Sequence, residues 1–178
     1  LTLSLVRSEW FDYVVSVDER SAGFVALGMA LRHQEPVAVV CTSGTALLNL
    51  GPAVAEAFFQ RIPLVVLSAD RPLGSVGHQR GQVIHQNGVF GAHVQGSLCW
   101  VNQDNSTEAL QASCDALQAI LYTACYQKGP VRINVPFQEP LYDLPAALPK
   151  RSLESDLSSQ ELLTVPTEFP NLPNDLKD

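Results

Sequence analysis

The sequence predicts an α/β fold: a doubly wound parallel sheet with helices on both faces. Short apolar runs at residues 36–41, 63–67 and 131–135 have the Val- and Ile-rich composition of strands buried on both sides. Between them, apolar residues recur at helical spacing over residues 20–34, 46–59 and 107–126. Strand and helix so alternate about five times without an internal repeat, which is the grammar of a parallel sheet with crossover helices.

Taken in order, residues 1–8 are mostly apolar and read as the end of a helix. Residues 10–17 run apolar into Asp18, Glu19 and Arg20 and are expected to form a buried strand. Ala22, Val25, Ala26 and Met29 then follow at helical spacing, so the charged triplet falls where a strand hands over to a helix. In open α/β sheets that edge faces the ligand. Asp18 suits a helix N-cap, which leaves Glu19 without a local task.

The strand at 36–41 leads into Thr42, Ser43, Gly44 and Thr45, a turn of small residues that opens the helix at 46–59. The next strand, 63–67, ends in Ser68, Ala69, Asp70, Arg71 and Pro72. Residues 73–88 are rich in glycine, glutamine and histidine, the composition of an ordered functional loop or a lid. A weaker strand is expected at 94–101. The helix at 107–126 has Ser106 as its N-cap and stops at Lys128 and Gly129. Pro136 closes the last strand, and the Pro-rich, acidic residues 144–178 read as a linker following a structured part at 1–143.

Composition narrows the partners. At 178 residues and 46% hydrophobic, the chain can bury one substantial core. A formal charge of −7 without a basic stripe argues against nucleic acid. No apolar run approaches the ~20 residues of a membrane span, and the first residues lack a basic signal region. Cys41, Cys99, Cys114 and Cys125 form no CxxC pair and are expected to be reduced, buried thiols in a cytoplasmic protein. His33, His78, His85 and His93 show no metal-binding spacing. The sole methionine is Met29, so the chain is expected to be a piece of a longer protein.

Parallel strands end on one edge, so Glu19, the turn at 42–45, Asp70 with Arg71, and the Gln82 to Gln86 stretch are expected to converge. Each has a plain reading beside a functional one. The turn is either an anion cradle or a capped helix start with Gly44 allowing close approach, and it lacks the P-loop and GxGxxG patterns. Asp70 and Arg71 form either an ion pair at a turn or an arginine fork for a carboxylate. Ser43 lacks the GxSxG elbow of a hydrolase.

Together, Asp18-Glu19-Arg20, Thr42-Ser43-Gly44-Thr45-Ala46, Ala69-Asp70-Arg71-Pro72, Gln82-x-Ile84-x-Gln86 and Gly129-Pro130-Val131-x-Ile133-Asn134-Val135-Pro136-Phe137 resemble a known family in order and spacing. It is the 2-succinyl-5-enolpyruvyl-6-hydroxy-3-cyclohexene-1-carboxylate synthases, thiamine-diphosphate enzymes of menaquinone biosynthesis, and the likeness is to their N-terminal domain.

The resemblance implies a pyrimidine-binding domain lacking its first strand. The diphosphate, with its magnesium or manganese ion, would be held by an absent domain of a partner subunit, in a dimer at least. It implies that Glu19 hydrogen-bonds ring nitrogen N1′ of the cofactor, since a carboxyl in a dry pocket stays protonated and shares its proton. Ser43, Gly44 and Thr45 would line the pocket, Arg71 would pair with a substrate carboxylate, and Gln82 would reach both cofactor and substrate. The substrates implied are 2-oxoglutarate and isochorismate, with the fragment alone inactive. Gly81 stands where some relatives carry asparagine. The alternatives are another carboligase, of acetolactate-synthase type, or a non-catalytic domain in which Glu19 is a structural partner of Arg20.

Overall fold

In a computed structural model, residues 1–76, 81–101 and 106–138 are described. The expected linker at 144–178, and His78, lie outside them. Two compact units divide the chain, and Leu1–Val14 fall outside the one that holds the sheet. In the former, helix α1 (Thr2–Ser8) forms, as its apolar residues suggest.

The larger unit is a four-stranded parallel sheet: β1 (Val37–Cys41), β2 (Leu64–Asp70), β3 (Gly96–Cys99) and β4 (Val131–Pro136), in the order β1-β2-β4-β3. Helices α2 (Glu19–His33), α3 (Thr45–Asn49), α4 (Gly51–Gln60) and α5 (Thr107–Tyr126) complete it.

On one face Val39, Leu64 and Val66 pack with Leu27 of α2, which precedes β1, and with Leu50 and Val54 from the segment between β1 and β2. On the other, Val65, Val131 and Ile133 pack with Ala124, Ile120 and Leu117 of α5. Gly23 lets α2 and α4 touch, because a Cβ there would lie 2.9 Å from the Ala53 Cβ. Caps fall where the sequence puts them: Asp18 accepts from the Arg20 and Ser21 amides, and Ser106 accepts from the Ala109 amide at 3.3 Å. At the amino ends of β1 and β2, α2 and α4 stop on residues in the left-handed conformation, Gln34 (φ 59°) and Arg61 (φ 56°).

Three expectations are corrected. The strand at 10–17 does not form: Trp10, Phe11, Tyr13, Val14, Val15 and Val17 are exposed and pair with no described strand. An apolar run alone is insufficient, because a strand exists only beside a neighbour that completes its ladder. The helix at 46–59 is two helices that meet at Leu50. Pro52 has no N–H and would crowd the carbonyl of Leu48, so a new helix begins with proline in its first turn. Of the four cysteines only Cys41 is buried; Cys99, Cys114 and Cys125 are exposed, the last two on the solvent side of a half-covered α5.

Candidate functional site

The carboxyl ends of the strands form a rim, and the sequence dictates what stands on it. Asp18 takes over the capping of α2, so Glu19 in the first turn is left half-buried. Among the described residues none hydrogen-bonds its carboxylate. Glu19 lies close enough to the end of β1 for its charge to act on Cys41. Burial first, and that carboxylate second, push the Cys41 thiol up to about 12.

The turn after β1 buries Ser43 and Gly44 and leaves Thr42 and Thr45 exposed. Gly44 has φ 80°, and a Cβ there would stand 2.7 Å from the Cα and carbonyl carbon of Gln82. Glycine is required here because the loop backbone, at Gln82, lies against the turn. Gln82 itself is exposed at φ 57°, and Gly81 beside it has open space where a side chain would begin. The structure therefore brings Ser43, Gly44, Thr45 and Gln82 together, with Glu19 at the end of the same strand. Arg71 follows β2, the next strand along the rim.

Beneath the rim lies a buried polar cluster. Asn134 Oδ1 accepts from Ser68 Oγ at 3.0 Å, Gln86 Nε2 at 2.8 Å and Arg132 Nη2 at 2.5 Å. Asn134 Nδ2 donates to Asp70 Oδ2 at 2.7 Å, and Asp70 Oδ1 accepts from the Arg71 amide at 2.8 Å. Both Asp70 oxygens are thus engaged, one by an amide side chain and one by a backbone N–H. Arg132 is 2% exposed, its Nε is without a hydrogen bond among the described residues, and burial lowers its pKa against the pull of Asp70. Motif reading left Asn134, Ser68 and Arg132 without roles. Their signal was a polar residue inside an apolar strand, which must find partners when buried.

A parallel α/β rim carrying one half-buried carboxylate, a hydroxyl-lined turn and exposed amides defines a domain that binds a small polar ligand. The family model for "Thiamine pyrophosphate enzyme, N-terminal TPP binding domain" matches residues 1–94, more than half of the chain, and the chain belongs to that family.

Among curated proteins it is similar to the 2-succinyl-5-enolpyruvyl-6-hydroxy-3-cyclohexene-1-carboxylate synthase of Desulfotalea psychrophila, with 51% identity over 80% of this chain and 27% of that protein. The enzymes of the same name from Phocaeicola vulgatus (49%, covering 78% of this chain and 25% of that protein) and Flavobacterium johnsoniae (44%, covering 90% and 28%) are also similar. The chain spans about a quarter of the length of these relatives. Among the described residues no three His, Cys, Asp or Glu side chains cluster as a metal site, and no helix is long and apolar enough to cross a membrane.

Proposed function

We propose that this chain is the pyrimidine-binding part of a 2-succinyl-5-enolpyruvyl-6-hydroxy-3-cyclohexene-1-carboxylate synthase, with thiamine diphosphate as cofactor and 2-oxoglutarate and isochorismate as substrates. One observation carries the reading: Asp18 caps α2, so the neighbouring Glu19 carboxylate is spared for a ligand at the rim. The names and identities of the relatives support the substrate assignment.

The chemistry that bound thiamine diphosphate supplies is decarboxylation of a 2-oxo acid and transfer of the remaining carbon unit to an acceptor. Glu19 holds a proton at ring nitrogen N1′ and so sets the ring's protonation state. Ser43, Gly44 and Thr45 wall the pyrimidine. Arg71 pairs with a substrate carboxylate, a task for which its planar fork is suited, and the Gln82 amide orients the bound reactants.

The diphosphate and its magnesium or manganese ion belong to a partner subunit's domain, so the working enzyme is a homodimer at least. Three exposed thiols, free and without a disulfide among the described residues, support a reducing, cytoplasmic setting.

The test is Glu19→Gln in the full-length enzyme, assayed with 2-oxoglutarate plus isochorismate and, as control, with pyruvate. The expected result is a loss of about 100-fold or more in turnover at unchanged thermal stability. Unchanged turnover defeats the reading, and preference for pyruvate defeats the substrate assignment.

A further inference from the structure

Among the described residues, Gln86 is the side chain that ties the turn and the loop to strands β2 and β4. It is 2% exposed, and its carboxamide uses one acceptor and both donors on three separate segments. Oε1 accepts from the Gly44 amide at 2.7 Å. Nε2 donates to the Ala69 carbonyl at the end of β2 at 3.1 Å and to Asn134 Oδ1 on β4 at 2.8 Å. The amide cannot turn over, because Gly44 demands an acceptor and Ala69 demands a donor. Four residues upstream, Gln82 presses its backbone on Gly44 in a left-handed conformation that a non-glycine residue keeps only when its surroundings impose it.

We propose that Gln86 is a positioning residue for the pyrimidine pocket, locking the Ser43-Gly44-Thr45 turn and the Gln82 loop into one preformed wall. The inference rests on the function proposed above. Without the carboxamide, the Gly44 amide loses its acceptor and the loop loses its tether to β2 and β4, so the wall must be ordered anew each time the cofactor enters. The cost therefore falls on cofactor affinity rather than on the chemical step.

The experiment uses the full-length enzyme and compares wild type with Gln86→Met, which keeps length and volume, and Gln86→Glu, which turns a carboxylate toward the Ala69 and Asn134 oxygens. Hydrogen exchange of peptides 42–46 and 81–86, the dissociation constant for thiamine diphosphate and kcat at saturating cofactor are measured together. In Gln86→Met, exchange rises in those two peptides, the dissociation constant rises about tenfold, and kcat changes much less; Gln86→Glu shows the larger shift.

Unchanged exchange and affinity overturn the inference. So does a uniform rise in exchange across β2 and β4, which makes Gln86 a core residue only. If Gln86→Met does not fold, Gln86→Asn, one methylene short, is measured in the same way. Glu19→Gln separates the two levels: full turnover in that variant sinks the function itself. Lost turnover there, beside normal cofactor binding in Gln86→Met, sinks this inference alone.

Discussion

The two faces of β4 are made of different chemistry. Val131 and Ile133 point into an all-apolar layer under α5, while Arg132 and Asn134, one residue out of step, enter a polar cluster with Ser68, Asp70 and Gln86. The apolar layer tolerates adjustment because its contacts are many, weak and without direction. The polar cluster does not, since its buried donors and acceptors, Arg132 Nε excepted, depend on specific partners and lose their worth when those partners go. A single strand thus supports the fold with one set of residues and holds the rim with the other.

Asn134→Leu is the strongest way to break this contrast. It leaves Gln86, Ser68, Arg132 and Asp70 short of a partner at once and should cost about 4 kcal/mol in denaturant unfolding. Ile133→Val on the opposite face should cost only about 1 kcal/mol. Equal losses at the two positions would erase the distinction between the faces.

Alkaline titration probes the rim side of β1. The Cys41 thiol stays protonated in the fold up to about 12, whereas in the unfolded chain it ionises near 9.0. Above the latter value the folded state holds more protons than the unfolded state, so stability falls as pH rises between the two. Cys41→Ala should flatten that part of the profile, and an unaltered slope would assign the fall to other groups.

Arg132→Met gives the smallest change and the sharpest test of what the cluster is for. The guanidinium is buried, its desolvation outweighs the pull of Asp70, Cys99 and Cys41, and Asn134 Oδ1 keeps two other donors without it. Unfolding should therefore lie within about 1 kcal/mol of the parent, or on the stable side. A large loss would mean that the charge, not the amide network, holds β4 in place.

Much of this was legible in the sequence for physical reasons. Strand runs such as residues 63–67 and the caps Asp18 and Ser106 depend on local chemistry, so they could be read without the fold. The rim positions of Ser43 and Gly44 followed from one topological fact about parallel strands, whereas the strand expected to deliver Glu19 there does not form.

What could not be read were relations across the chain. The Gln86 amide bridges residues 42 and 48 positions away, and nothing near it in the sequence announces those partners. Residues 10–17 have the composition of a strand, but composition does not say whether a neighbour is present. The break at Leu50 was available from Pro52 and was overridden by the apolar periodicity around it.

The left-handed stops of α2 and α4 carry a consequence for anyone producing this domain. Gln34 and Arg61 bear side chains in a conformation that glycine adopts at no steric penalty, and both sit at the end of the sheet opposite the rim. Exchanging them for glycine offers a route to a hardier preparation, up to about 1 kcal/mol at each site, that leaves the chemistry of the other end untouched.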